Sequence, residues 1–160
     1  MSEYTVRQAL VKDISEFKKI ELETSLSFWS EADYNALVNN HEAVILTALE
    51  SNNIVGFVLA RLITSMSEAE ILNFGVKPEY QRKGAGQRLL RELLFALRSA
   101  DFTTLWLEVR ESNQKARRFY LQNGFVKAGV RKLYYQNPNE DALVLKLDLE
   151  ASLATSVKLL

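Results

Sequence analysis

The run Leu105-Trp106-Leu107-Glu108-Val109-Arg110 sets a carboxylate inside an apolar segment. In a β-strand, alternation sends Trp106 and Glu108 to one face and Leu105, Leu107 and Val109 to the other. A carboxylate in such a strand is expected to be partly desolvated, which raises its pKa and suits it to general-base work near neutral pH. The simpler reading is an ion pair with a nearby arginine, Arg110 or Arg117. Tyr120 follows on a helical segment whose stripe includes Ala116 and Asn123. Read alone, it is a core aromatic whose hydroxyl reaches the surface. Asn113, at the start of the same segment, reads most simply as a helix cap.

A second chemical feature lies upstream, in Val76-Lys77-Pro78-Glu79-Tyr80-Gln81-Arg82-Lys83-Gly84-Ala85-Gly86. A strand ends, a basic loop follows, and two glycines open a long helix. The first helical turn carries unpaired N–H groups and the positive end of the helix dipole. Glycine lets an anion approach the backbone closely, and Arg82 and Lys83 add charge. Together these features describe a cradle for a phosphate or pyrophosphate. The segment does not match G-x-x-x-x-G-K-[ST], and G-x-G-x-x-G fails because Leu89 stands where the third glycine belongs. The plain alternative is a helix start with flexible glycines.

These positions need a scaffold, and hydrophobic periodicity supplies its outline. Tyr4–Ala9 reads as a short strand. Asp13 is placed to cap a helix on which Ile14, Phe17 and Ile20 recur. Ser30 and Asp33 form a capping-box pattern opening a short helix through Val38. Ala43–Glu50 and Ile54–Thr64 read as strands about a Ser51-Asn52-Asn53 turn, and Glu70–Val76 as a strand stopped at Pro78. From Gly84 to Ala100 the period becomes helical, with Ala85, Leu89, Leu90, Leu93, Leu94 and Leu97 on one stripe. Thr104–Val109 is near-continuously apolar, as in a strand buried on both faces. A helix follows over Asn113–Asn123, with Gly124 at its left-handed C′ position. Phe125–Tyr134 and Ala142–Leu149 close the chain as strands. The expected architecture is α/β: one domain over residues 1–150, a mixed sheet of six to seven strands with about four helices, and a tail over 151–160.

Composition narrows the chemistry. The chain has 160 residues, no cysteine and one histidine, His41. Disulfides, thiolate zinc sites, iron–sulfur clusters and a cysteine nucleophile are excluded. No G-x-S-x-G elbow is present to meet His41 in a triad. Basic and acidic residues number 20 each, where a nonspecific nucleic-acid binder carries a basic excess. No apolar run reaches the ~20 residues that span a bilayer, and Met1-Ser2-Glu3-Tyr4 lacks the pattern of a signal peptide. The expectation is a cytoplasmic protein that contacts neither nucleic acid nor membrane.

Taken together, the motifs resemble a known group. Gln81-Arg82-Lys83-Gly84-Ala85-Gly86 is similar to the Q/R-x-x-G-x-G/A signature of the GNAT acetyltransferases. Three further segments match in order: Leu105–Arg110 with Ser112-Asn113, Phe119-Tyr120 with Asn123-Gly124-Phe125, and Arg131–Tyr135 with Glu140-Asp141-Ala142. This combination, with Phe28-Trp29-Ser30-Glu31, resembles the RimI type, the ribosomal-protein-alanine N-acetyltransferases. The resemblance is strong over about residues 70–148. It implies acetyl-coenzyme A as donor, with no metal. Gly84 and Gly86 would lie on the pyrophosphate with the Gln81, Arg82, Lys83 and Ala85 loop; Phe74, Gly75 and Val76 would bind the pantetheine arm and acetyl carbonyl; Asn113 would contact the cofactor. Glu108 would be the general base, through water, and Tyr120 the general acid toward the departing thiolate. The implied acceptor is the N-terminal α-amine of a protein, an alanine of a ribosomal protein.

Relatives of this type usually carry Ile-Ala-Val where this chain has Phe74-Gly75-Val76, and proline where it has Phe28. An α-amine of pKa ~7.7–8.0 is neutral to roughly a tenth at pH 7, while a lysine at ~10.4 is neutral to a part in a few thousand. A single carboxylate base therefore suits an α-amine better. The alternatives are a small-molecule amine or lysine as acceptor, a non-catalytic coenzyme A-binding module, and a Rossmann-like nucleotide binder. A basic peptide acceptor would call for acidic contacts, for which Glu31, Glu68, Glu70, Glu140 and Asp141 are available.

Overall fold

In a computed structural model, residues 3–150 are described; the expected 151–160 tail lies outside them. They form a single α/β domain with a seven-stranded sheet. The strands are β1 (Thr5–Gln8), β2 (Ala43–Glu50), β3 (Asn53–Ile63), β4 (Glu68–Val76), β5 (Thr104–Arg110), β6 (Val126–Tyr135) and β7 (Glu140–Asp148). The helices are α1 (Ile14–Thr24), α2 (Glu31–Val38), α3 (Ala85–Ser99) and α4 (Gln114–Gln122). The sheet order is β1-β2-β3-β4-β5-β7-β6. Only β4 and β5 run parallel; the other pairs are antiparallel.

Local chemistry sets the element ends. The Ser51-Asn52 turn takes positive φ at both residues (47° and 71°), the geometry of a two-residue hairpin loop, so Asn53 already belongs to β3. At α2, the Asp33 N–H donates to Ser30 Oγ and the Ser30 N–H to Asp33 Oδ2, each at 3.1 Å, completing the capping box. Asn113 Oδ1 accepts from the Ala116 N–H at 3.1 Å to open α4, and Gly124 at φ 90° ends it. Asp13 departs from expectation. It stands at the N-cap position of α1 but is also the last residue of a 3₁₀ turn over Val11–Asp13, and its side chain caps no α1 amide. Its carboxylate is taken by Arg7 (2.6 and 3.0 Å) and the Leu10 N–H (2.8 Å).

Helices cover the two sheet faces unequally. On one face α3 and α4 bury the main core, with Leu89, Leu93 and Leu97 against Val58, Ala69, Leu105 and Leu107. On the other, α1 and α2 bury Phe17, Ile20 and Tyr34 against Ile45, Phe57 and Leu59. That second layer lies over β2, β3 and β4. Strand β5 is consequently not buried on both faces: Leu105, Leu107 and Val109 are buried, whereas Trp106, Glu108 and Arg110 are partly exposed. The apolar run reflects Trp106 and the core-facing leucines, not two covering layers.

Candidate active site

The site begins where the one parallel pair comes apart. β4 and β5 are in register only from Glu68↔Thr104 to Ile71↔Leu107. Beyond that point β4 stays with β3, and β5 with β7. A β-bulge in the β3–β4 ladder, at Leu72, helps turn β4 away. The β4 edge through Phe74, Gly75 and Val76 is thus left without a strand partner on the β5 side, and an extended ligand can pair with it.

The basic loop and α3 follow directly. Gln81 Nε2 donates to the Val76 carbonyl at 3.0 Å, which ties the loop back to the strand end. Arg82 (φ 57°) and Gly84 (φ 97°) both take left-handed backbone. Gly84 is the N-cap of α3 and no side chain caps it. The first amide to close a helical bond is the Arg88 N–H, on the Gly84 carbonyl at 2.9 Å. The first-turn amides of Ala85, Gly86 and Gln87 therefore have no partner inside the helix and can meet an anion. Arg82, Lys83 and Gly84 are exposed, Ala85 is buried in the core, and Gly86 lies beside Phe74, Val76 and Phe119. This arrangement fits a pyrophosphate. Asn113 is occupied as the α4 cap.

Tyr120 projects from α4 into the α3-side core and packs edge-on against Phe74 (6.2 Å), Phe119 and Phe125 (both 5.3 Å). The Phe74 ring therefore bridges the strand end to α4. Burial, followed by the nearby Tyr135, pushes the Tyr120 hydroxyl well above the usual tyrosine range, so it stays protonated. Glu108 lies on the opposite face of β5. It is ion-paired, as the simpler reading held, but with Arg131 of β6 at 2.5 Å. Arg110 reaches Glu140 (3.4 Å) and covers the Tyr135 ring, while Arg117 donates to the Glu111 carbonyl. The β6–β7 hairpin, folding back beside β5, is what brings Arg131 over Glu108. The Tyr134 hydroxyl is raised above the usual tyrosine range, by burial first and then by Glu108. Tyr135 is pushed up to about 12, by burial first and then by the Glu108 charge. It is thus coupled electrostatically to both Glu108 and Tyr120.

On the uncovered face, Glu108, Trp106, Glu68 and Glu70 line a cleft of about 220 Å³. Glu70 is paired with Arg61 at 2.5 Å. The other acidic residues do not join them. Glu140 takes the Ser112 N–H, Asp141 takes Lys132 and the Leu133 N–H, and Glu31 lies on α2. Sequence reasoning assigned no role to Arg131, Tyr134 and Tyr135; their matched Arg-Lys-Leu-Tyr-Tyr run was the available signal. Among the described residues no group of three or more His, Asp or Glu is placed to hold a metal ion, and no helix is long and apolar enough to cross a membrane.

Residues 9–125 match the family model "Acetyltransferase (GNAT) family". The chain is 38% identical over 138 residues to the [Ribosomal protein bS18]-alanine N-acetyltransferase of Haemophilus influenzae, covering 83% of this chain and 90% of that protein. It is 35% identical over 124 residues to the enzyme of the same name from Escherichia coli, covering 76% and 81%. The crystal structure of the Escherichia coli ribosomal-protein-S18-alanine N-acetyltransferase superposes with a TM-score of 0.83 at 29% identity, over 92% of this chain and 94% of that one. The splayed parallel pair, the uncapped glycine start of α3 and these likenesses agree: the chain belongs to the GNAT acetyltransferase family, as an acetyl-CoA-dependent N-acetyltransferase of the RimI type.

Proposed function

We propose that this enzyme transfers the acetyl group of acetyl-coenzyme A to the N-terminal α-amine of a protein, an alanine of a ribosomal protein of the bS18 kind, in the cytoplasm. The observation that carries the reading is the pair of groups on either side of β5 where it leaves β4: an acceptor-side carboxylate, Glu108, and a buried protonated hydroxyl, Tyr120. The bS18-directed names of the relatives support the acceptor.

Acetyl-coenzyme A supplies the activated acyl carbonyl. The amides of the Arg82–Gly86 loop, with Arg82 and Lys83, hold the pyrophosphate, and Gln81 keeps that loop on the strand end. The free β4 edge at Phe74–Val76 pairs with the pantetheine arm, and Asn113 lies at the cofactor's side while capping α4. Glu108, acting through water, takes the proton that the amine sheds as it forms the C–N bond. Arg131 fixes the carboxylate for that transfer. Tyr120 gives its proton to the sulfur as the C–S bond breaks, so one proton enters at Glu108 and one leaves at Tyr120. Neither a protein nucleophile nor a metal has a part in this direct transfer.

The neutral fraction of the acceptor decides the substrate class. A base held in an ion pair is adequate for an α-amine with a tenth of its population already neutral, roughly a few hundred times the fraction of a free lysine. The test is a mass-spectrometric assay of two peptides with acetyl-coenzyme A, one beginning Ala-Arg with its lysines blocked, the other N-terminally blocked with a free lysine. Acetylation of the first and not the second is expected; the reverse overturns the acceptor assignment.

A further inference from the structure

Glu21 is a carboxylate that the acetyl-transfer chemistry does not use, and it is fully buried. A buried charge persists only where hydrogen bonds satisfy it. Glu21 Oε1 accepts from the Tyr34 hydroxyl of α2, from Asn73 Nδ2 of β4 at 3.4 Å, and from the Trp29 N–H at 3.3 Å. Its Oε2 takes Lys18 Nζ at 3.3 Å. Asn73 Nδ2 also lies 3.3 Å from the Ser27 carbonyl and 3.2 Å from the Tyr34 hydroxyl, and Lys18 donates to the Trp29 carbonyl. One carboxylate thus joins α1, α2, β4 and the segment between the two helices.

The place of that segment gives the network its meaning. Asn73 directly precedes Phe74 and the unpaired strand end. Two residues on, a Cβ at Gly75 would stand 2.6 Å from Leu26 Cδ1 and 2.8 Å from Ile20 Cγ2. The segment is therefore held to β4 twice, by hydrogen bonds at Asn73 and by contact at Gly75. The α1–α2 layer ends over β4 and leaves β5 open on the face that carries Glu108. Residues 26–29 consequently form the edge of that layer over the splayed end of β4, with Phe28 exposed at 67%. A leucine in place of Glu21 would fill the core but would leave the rim's height over β4 unspecified.

We propose that Glu21 is a positioning residue for the acceptor: by binding Tyr34, Asn73 and the Trp29 amide together it sets where the 26–29 rim stands over β4, and so the acceptor's KM. The proposal rests on the acceptor entering on the Glu108 face, as the proposed function has it.

The test compares wild type with Glu21→Gln and Tyr34→Phe. In Glu21→Gln the acceptor KM for an Ala-Arg peptide is expected to rise about tenfold, with the acetyl-coenzyme A KM within about twofold and kcat at saturating peptide largely kept. Tyr34→Phe, which keeps the ring and removes the hydroxyl that donates to Glu21 and accepts from Asn73, is expected to raise the same KM about threefold. A merely structural role would lower the melting temperature and the active fraction and leave the acceptor KM alone. If Glu21→Gln does not fold, Tyr34→Phe decides by the same criterion. Hydrogen exchange over residues 25–30, read by mass spectrometry without any acceptor, is expected to quicken in whichever variant folds. Unchanged exchange, or an acceptor KM within twofold of wild type in both variants, overturns the proposal. Wild-type enzyme that acetylates only lysine or small amines overturns the acceptor class instead, and the exchange measurement then decides the positioning role by itself.

Discussion

Replacing Tyr120 by phenylalanine separates chemistry from folding unusually cleanly. The residue is only 7% exposed and its ring is set edge-on against Phe74, Phe119 and Phe125. All of those contacts are made by the ring, and phenylalanine keeps them. The described residues offer the hydroxyl no hydrogen-bond partner, so its removal orphans nothing, and the stability change is expected to stay within about 0.5 kcal/mol. If the hydroxyl protonates the leaving thiolate, its loss should cost at least the lower bound of general acid catalysis, about 100-fold in kcat, or about 2.7 kcal/mol of barrier. The chain has no cysteine, so a thiol reagent reads released coenzyme A with no background from the enzyme. The pH dependence carries a second sign. An acid must be protonated to act, and burial raises this tyrosine's pKa, so an alkaline loss of kcat due to Tyr120 is moved above its ordinary value near pH 10. A folded Tyr120→Phe enzyme whose kcat stays within about threefold of wild type would refute the acid role.

Three further outcomes follow from the geometry. Glu108→Gln should lower kcat by about 100-fold while calorimetry finds acetyl-coenzyme A affinity within twofold; its partner Arg131 is 55% exposed, so the lost pair should change stability by about 0–1 kcal/mol. Gly84→Val puts a β-branched residue at φ 97° at the start of α3, at about 1–2 kcal/mol of backbone strain, and should weaken acetyl-coenzyme A by about tenfold or more by the same calorimetry. Asp13→Asn should remove an acid-sensitive part of the stability. Burial raises the Asp13 pKa, but Arg7 and the Leu10 N–H outweigh it and hold the pKa below the ordinary aspartate value of 3.8. The stabilisation is therefore present above that value and lost as pH falls through the lower folded one, so melting curves of wild type and variant should converge at the acid end.

Legibility followed the range of the interactions. Short-range rules worked: the Ser30–Asp33 box, the Asn113 cap, Gly124 and the Ser51-Asn52 turn are each decided within a few residues. Glu108 stands out in the sequence because a carboxylate interrupts an apolar strand, and Tyr120 because its motif carries it. What could not be read was pairing across the chain. Arg131 reaches Glu108 only because the β6–β7 hairpin folds back on β5, and Asp13 leaves its helix because β1 brings Arg7 alongside. The apolar run at β5 suggested two covering layers, since composition does not report where a neighbouring helix layer stops.

The departures at Phe74 and Gly75 gain a common reason once β4 is seen as a strand with two clients. Its edge beyond Ile71 is free of a strand partner on the β5 side, where the proposed function seats the donor, while its outer face carries the α1–α2 segment through Asn73 and Gly75. An alanine at 75 would drive its methyl into Leu26 and Ile20, so glycine there and a close-lying segment require each other. Phe74, on the other side, fills the space between β4 and α4 against Phe119 and Tyr120. A smaller residue at 74 would leave Tyr120 less well held, and a larger one at 75 would lift the rim. The strand end therefore sets the position of Tyr120 on one face and of the 26–29 segment on the other, and neither can shift without the strand registering it.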